Sequence, residues 1–183
     1  METIATNRLI IRNFKPTDWQ DLFEYFSDEE VLRYEPYEVF SEKQAKEEAE
    51  RRSHLDTFLA VSLQTSGKVI GNLYLAKGDF DTWELGYVFN RFYQGQGYAT
   101  ESAKALLDYT FTHLGARRIA AMCNPLNERS WRLLERLNMR REGHLLQNIY
   151  FKTDAEGTPI WQDTYEYAIL RTEWSTRACL QTL

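Results

Sequence analysis

The residues with the clearest chemical potential lie between a strand-like run and a strongly amphipathic helical pattern; they are Gln94, Gly95, Gln96, Gly97, Tyr98, Ala99 and Thr100. Glycine and alanine let backbone N–H groups approach a ligand that larger side chains would hold away. The N-terminus of a helix also favours an anion. The segment therefore predicts a phosphate or pyrophosphate site, with a plain tight turn as the structural alternative.

Polar residues that could move protons flank this segment. Glu84 lies on the preceding strand, where alternation places Glu84, Gly86 and Val88 on one face. Asn127 and Ser130 open the next predicted helix. A carboxylate can accept a proton, and a hydroxyl can anchor a ligand or donate a proton. The structural alternative for Glu84 is a carboxylate that is solvated or paired with an arginine.

The elements that must position these residues mix strands and helices. The order is a β-meander, one strand–helix–strand–helix segment and a closing hairpin, which predicts an α+β fold of helices on a mixed sheet. The predicted strands are Arg8–Asn13, Phe58–Leu63, Val69–Ala76, Thr82–Phe89, Arg118–Cys123, His144–Phe151 and Trp161–Leu170. The predicted helices are a short one opened by Pro16 around Trp19 to Phe26, then Glu42–His54, Ala99–Leu114 and Glu128–Leu137.

Length, charge and cysteine content narrow the class of protein. The 183 residues fit one compact domain, and 22 basic against 27 acidic side chains argue against nucleic acid as a ligand. Cys123 and Cys179 are too few for a disulfide framework or a four-thiolate metal site, so we expect no metal and a reducing compartment. Without a signal-like N-terminus or an apolar run of ~18 residues, we expect a cytoplasmic protein that does not enter the membrane.

A dinucleotide-binding fingerprint is the first competing interpretation of the glycine segment. Gly95, Gly97 and Thr100 nearly spell G-x-G-x-x-G, but threonine replaces the third glycine. The strand after the helix ends in Cys123-Asn124, where a ribose-binding carboxylate is expected. The context therefore disfavours a dinucleotide.

The segment resembles the pyrophosphate loop of the GNAT superfamily of acetyltransferases, which reads Gln or Arg, two residues, Gly, one residue, then Gly or Ala. Gln94, Gly97 and Ala99 match that pattern. More narrowly, most of the chain resembles the ribosomal-protein N-terminal acetyltransferase branch. That resemblance rests on Arg8-Leu9 with Arg12, Glu84-Leu85-Gly86-Tyr87, Gly97-Tyr98-Ala99-Thr100-Glu101, and Asn127 with Ser130.

The resemblance implies a single GNAT domain over residues 1–183, with acetyl-CoA as co-substrate. It implies a central, mixed, mostly antiparallel twisted sheet of about seven strands, splayed at the cofactor site. There the strand ending in Tyr87, Val88 and Phe89 would offer backbone groups to pantetheine, and an N–H near Val88 would polarise the thioester carbonyl. The implied cofactor contacts are Tyr87, Val88, Phe89, Gln94 to Thr100, Asn127 and Ser130.

The resemblance also suggests catalytic roles. Glu84 is the expected base, and Ser130 either donates to the leaving thiolate or anchors the cofactor. Leu134 stands where many relatives carry a tyrosine acid, so this sequence departs from the pattern there. Glu101, in a first helical turn, is expected to interact with the helix dipole. A covalent route through Cys123 is disfavoured, because a cysteine in an apolar run is usually a core residue.

The acceptor amine should be selected by residues 33–37 and by the final hairpin, which flank the cleft in similar enzymes. Glu35 and Glu38, with neighbouring rings, could receive a cation or form a solvated turn. The expected reaction is direct transfer to a primary amine in a ternary complex, first of all the N-terminal α-amine of a ribosomal-type protein. The alternatives are a small amine (polyamine, amino sugar or antibiotic) and a non-catalytic acyl-CoA-binding module. The aromatic-rich hairpin makes a homodimer a reasonable expectation.

Overall fold

The computed structural model describes the backbone of residues 1–180 and the side chains of residues 1–175, so the Cys179 side chain lies outside the description. The strands are β1 Ile4–Ala5, β2 Leu9–Asn13, β3 Phe58–Leu63, β4 Val69–Lys77, β5 Thr82–Phe89, β6 Arg118–Cys123, β7 Arg140–Ile149 and β8 Gln162–Leu170. The α-helices are α1 Trp19–Phe26, α2 Glu29–Leu32, α3 Glu42–Ser53, α4 Tyr98–Thr112, α5 Glu128–Arg136 and α6 Arg171–Leu180.

All eight strands form one sheet in the order β1-β2-β3-β4-β5-β6-β8-β7. Neighbouring strands are antiparallel except for β5 and β6, which are parallel. The predicted mixed and mostly antiparallel α+β fold is therefore confirmed. The strand that the sequence did not reveal is β1, whose two residues are too few to show an alternation.

Helices pack on both faces of the sheet. One core cluster joins the sheet to α4 and α5 through residues such as Leu106 and Leu134, and a second joins it to α1 and α3 through Phe26 and Ala49. Alternation along β5 places Leu85 and Phe89 in the first cluster and Val88 in the second. The predicted alternation of this strand is thus confirmed.

Local signals fix the helix boundaries. Ser41 accepts a hydrogen bond from the Gln44 backbone and completes the expected capping box of α3. The Asn127 side chain caps α5 by accepting from the Ser130 N–H at 3.2 Å. Asn138 follows the C-cap of α5 and adopts the left-handed conformation, with φ 61°, as predicted.

The closing hairpin differs from its predicted bounds. Its first strand runs over Arg140–Ile149 rather than from His144 to Phe151, and its second starts at Gln162 rather than Trp161. The first strand is a mostly exposed edge strand, so its sequence carries no apolar alternation from which to set the register. Helices α2 and α6 were not predicted either. No helix among the described residues is long and apolar enough to cross a bilayer.

The parallel pair β5 and β6 separates partway along its length, as predicted. The two strands pair at Thr82 with Arg118, Trp83 with Ile119 and Glu84 with Ala120, and pairing ends there. Beyond this point β5 continues along β4, while β6 continues along β8. The sheet therefore opens over residues 85–89.

Candidate active site

A cavity of about 450 Å³ lies where β5 and β6 separate. Both sides of the opening contribute to its lining, which brings together residues far apart in the sequence. Five of the residues predicted for the site line it: Glu84, Tyr87, Val88, Asn127 and Ser130. Phe89 and the glycine segment do not line this cavity.

The glycine segment forms the entrance to α4. Gly95 and Gly97 have φ values of 75° and 82°, which residues with a Cβ adopt at a cost, and Gly97 is the N-cap. Within the described part of the chain, the backbone N–H groups of Gly95 to Thr100 donate no hydrogen bond. Unpaired N–H groups at a helix N-terminus form an anion site. The geometry therefore agrees with the predicted pyrophosphate loop.

Gln94 fastens this loop rather than pointing into open space. Its side-chain Nε2 donates to the Phe89 carbonyl at 2.9 Å, at the end of β5. Its Oε1 accepts from Arg129 Nη1 on α5 at 2.6 Å. The side chain of the motif's first residue thus holds the loop between the opened strand and α5.

Arg8 and Glu101 form a second fastening that the sequence did not reveal. Arg8 Nε donates to Glu101 Oε2 at 2.7 Å, Arg8 Nη1 donates to the Gln96 carbonyl at 3.1 Å, and the guanidinium lies 4.3 Å from the Tyr98 ring centroid. Burial alone would raise the pKa of Glu101, but hydrogen bonds from Thr6 and Arg8 outweigh it and lower that pKa. Glu101 therefore ties the loop to the start of β2 in addition to facing the helix N-terminus.

Two arginines of α5 lie beside the loop and were also missed. Arg129 contacts Gln94, and Arg136 Nε donates to Thr100 Oγ1 at 3.3 Å. Their spacing of i and i+7 puts both on one helix face, and this was the available signal. A guanidinium at this place can bind a phosphate oxygen.

Tyr87, Ser130 and Cys123 meet inside the cavity. Tyr87 Oη donates to the Ser130 carbonyl at 3.0 Å and lies 2.9 Å from Ser130 Oγ, which can donate in return. Burial raises the pKa of Tyr87. Burial also raises the pKa of Cys123 to about 11, so little thiolate forms at neutral pH. The polar groups that hydrogen bond to each other at this end are therefore the hydroxyls of Tyr87 and Ser130, beside a protonated Cys123 thiol.

The predicted base and the missing acid occupy contrasting places. Glu84 is exposed and also lines a second cavity, of about 490 Å³. The two cavities share Glu84, Tyr74 and Met122 in their linings. Leu134 is fully buried in the core. An acid at its position is therefore absent, as the sequence indicated.

Both regions expected to select the acceptor reach the cavity. Tyr34, Glu35 and Tyr37 line one side of it, whereas Glu38 is exposed and does not. The final hairpin contributes Ile149, Phe151, Gln162, Asp163 and Thr164.

The sheet opens beside the N-terminus of α4, and this arrangement suits an extended ligand that carries phosphates. The acetyltransferase (GNAT) domain matches residues 8–140, and the chain belongs to this family. It is therefore an N-acetyltransferase, as the sequence predicted.

Similar proteins extend over nearly the whole chain. The uncharacterized N-acetyltransferase YnaD of Bacillus subtilis is 40% identical over 176 residues, covering 94% of this chain and 99% of that protein. The GNAT acetyltransferase structure from Bacillus anthracis has a TM-score of 0.86 and 36% identity, covering 94% of this chain and 100% of that one. Spermidine N(1)-acetyltransferase of Escherichia coli is 25% identical over 151 residues, covering 76% of this chain and 77% of that protein. None of these relatives singles out the ribosomal branch.

Proposed function

We propose that this protein transfers the acetyl group of acetyl-CoA to a primary amine, first of all the N-terminal α-amine of a polypeptide. Transfer is direct, in a ternary complex. The observation that carries the proposal is the separation of β5 from β6 next to the N-terminus of α4. This arrangement offers unpaired strand backbone and unpaired helix N–H groups to one extended ligand.

The cofactor spans both features in the proposed complex. Its pyrophosphate accepts from the N–H groups of Gly95 to Thr100, with Arg129 and Arg136 nearby. Its pantetheine arm lies along the free edge of Tyr87, Val88 and Phe89. The thioester then reaches Asn127 and Ser130 at the start of α5, inside the cavity.

Acetyl transfer requires a polarised carbonyl, a neutral amine and a protonated leaving group. A backbone N–H near Val88 polarises the carbonyl. The Ser130 hydroxyl, backed by Tyr87 at 2.9 Å, supplies a proton to the thiolate and is itself reprotonated. The amine must lose a proton to a base, and three carboxylates line the cavity: Glu84, predicted from the sequence, Glu35 and Asp163.

A polypeptide acceptor is supported by the space beyond the cavity. The second cavity continues along the sheet face of β4, β5, β6 and β8, where it is lined by residues such as Ala76, Ala120 and Glu166. Residues that follow an acetylated N-terminus need such a path out of the site. An α-amine has a pKa of about 7.7–8.0, so it is readily deprotonated near neutral pH.

A small amine is the second candidate. It is favoured by the similarity to spermidine N(1)-acetyltransferase and by the aromatic and acidic lining at Tyr34, Glu35 and Tyr37. Such a lining suits a cationic ligand.

Thiol release from acetyl-CoA across a panel of N-terminal peptides, spermidine, amino sugars and aminoglycosides tests the proposal. Fastest release with a peptide supports the first candidate, and fastest release with a small amine supports the second. Thermal stabilisation by acetyl-CoA without release for any amine would instead identify an acyl-CoA-binding module.

A further inference from the structure

Residues 33–40 cross the acceptor side of the cavity as a firmly held segment. The Glu35 N–H donates to the Leu32 carbonyl at 3.0 Å, and the Phe40 N–H donates to the Phe26 carbonyl at 2.9 Å. At its cavity end, Tyr34 Oη donates to the Leu126 carbonyl at 3.3 Å, on the loop before α5. The segment is therefore fixed to α1 and α2 and joined across the opening to the cofactor side.

Glu35 is the carboxylate that this segment holds in the cavity. It is half-buried and lines the cavity together with Tyr34 and Tyr37, and its charge acts on the Tyr87 hydroxyl. Within the described part of the chain, its carboxylate forms no ion pair. Other packed carboxylates here accept from an arginine at 2.7 Å: Asp18 from Arg12, Glu48 from Arg52 and Glu101 from Arg8.

A half-buried carboxylate without a cation carries an uncompensated charge. Burial raises the pKa of Glu35 to about 7. A general base works best when its pKa lies near the working pH and near that of its proton donor. An α-amine, at about 7.7–8.0, is such a donor.

We propose that Glu35 is the catalytic residue that binds the acceptor's ammonium group and takes its proton, in preference to Glu84. The inference rests on the proposed amine acetylation. One ammonium proton passes to Glu35 and then to solvent. The neutral nitrogen attacks the thioester carbonyl carbon, the C–S bond breaks, and a second nitrogen proton reaches the thiolate through Ser130. The products are the amide, the free thiol and one released proton.

Other ionisable groups face the same space. They are Tyr34 and Tyr37 on the segment, Arg52 on α3, Tyr74 on β4, Glu84 and Tyr87 on β5, Cys123 on β6 and Asp163 on β8. Burial raises the pKa of Tyr37, Tyr87 and Cys123, so these groups stay protonated at neutral pH. A hydrogen bond from the Gln147 backbone lowers the pKa of Asp163, which stays ionised.

The test compares Glu35→Gln with Glu35→Asp and with a matched control, Glu38→Gln. Glu38 lies on the same segment but outside the cavity. With the best acceptor of the panel, Glu35→Gln should lower kcat by about 10²–10⁴-fold while acetyl-CoA affinity stays within about twofold. Glu35→Asp should retain intermediate activity, and Glu38→Gln should match the wild type. Glu84→Gln should lose less activity than Glu35→Gln.

The pH profile separates a base from a structural role. The acid limb of kcat, expected at about pH 7, should disappear in Glu35→Gln and persist in Glu35→Asp. His144→Gln, which removes the imidazole that lies 3.0 Å from Asp163, is a further control and should keep this limb. Unchanged kcat with an unchanged limb in Glu35→Gln would overturn the proposal, and so would loss of the limb in His144→Gln.

Calorimetric binding of the amine to the CoA-saturated protein distinguishes this failure from that of the proposed function. At about pH 8 the amine should bind roughly tenfold more weakly to Glu35→Gln, because a charge-assisted contact is lost. A wild type that binds the amine but never releases thiol defeats the proposed function. Equal amine affinity in wild type and Glu35→Gln defeats the Glu35 assignment, whatever the turnover.

Discussion

The side of the cleft proposed to hold the cofactor (the cofactor side) and the side proposed to hold the acceptor (the acceptor side) are built by different means. The cofactor side uses backbone N–H groups of one contiguous segment, Gly95 to Thr100, and fastens it with Gln94 and the Arg8–Glu101 pair. The acceptor side uses side chains from separate elements, among them Glu35, whose carboxylate has no ion-pair partner among the described residues. A cofactor common to a family can thus be held by backbone, while the acceptor that differs is held by side chains.

Gly97→Trp should break the cofactor side alone, and it has the largest expected effect of the variants that follow. The side chain would occupy the loop, so acetyl-CoA at about 100 Kd should lose the roughly 2.7 kcal/mol of stabilisation that it gives the wild type. Gly67→Trp is the matched control, since its φ of 74° imposes similar strain in a turn with open space around it. Thermal shifts with and without acetyl-CoA measure the effect. Full stabilisation of Gly97→Trp would show that the loop is not the cofactor site.

Glu101→Gln should weaken the contact with Arg8 that holds the glycine segment in place. Because the ion pair with Arg8 is partly exposed, its removal should lower the free energy of unfolding by about 1 kcal/mol at neutral pH. Acetyl-CoA should bind about tenfold more weakly. Folding lowers the pKa of Glu101 from 4.5, so the ionised side chain stabilises the fold above pH 4.5. This stabilisation is lost as the pH falls through the pKa of the folded state. Denaturant unfolding should therefore show the stabilities of wild type and variant converging as the pH falls below this folded pKa. A difference that persists in acid would contradict this account.

Arg136→Ala should sharpen the comparison by separating phosphate contacts from thioester contacts. Acetyl-CoA binding should weaken about fivefold, whereas an acetyl-pantetheine thioester without phosphates should bind equally to both proteins. Arg132→Ala is the control on the same helix, because Arg132 pairs with Glu128 at 2.7 Å. Equal weakening of both ligands would place Arg136 outside the phosphate site.

Tyr34→Phe should have the smallest effect, confined to the acceptor side. It removes the hydrogen bond to the Leu126 carbonyl, so KM for the amine should rise about threefold. Acetyl-CoA affinity, followed by thermal shift, should not change. A change in cofactor affinity instead would mean that the two sides are not independent.

The sequence predicted those features that depend on neighbouring residues. The bounds of Thr82–Phe89 and Arg118–Cys123 agree with the structure, because each apolar-rich run ends at a clear break, at Asn90 and at Asn124-Pro125. The Asn127 cap is equally local. The glycine segment is predictable because its motif residues follow one another directly in the sequence.

Features made by tertiary packing could not be predicted in the same way. Arg8 and Glu101 are in contact although 93 positions separate them in the sequence, and Tyr87 and Ser130 are 43 positions apart. Glu35 and Glu38 look alike in the sequence, and only the path of the segment decides which one enters the cavity. The residues of the acceptor side are therefore harder to predict from the sequence than those of the cofactor side.

Hydrogen–deuterium exchange tests the division of the cleft most directly. Acetyl-CoA alone should slow exchange of the amides of Gly95 to Thr100, which donate no hydrogen bond in the described chain, and leave residues 33–38 unchanged. Addition of an acceptor amine to a CoA complex should then slow exchange in residues 33–38. Unchanged exchange at Gly95 to Thr100 on acetyl-CoA binding would contradict the account.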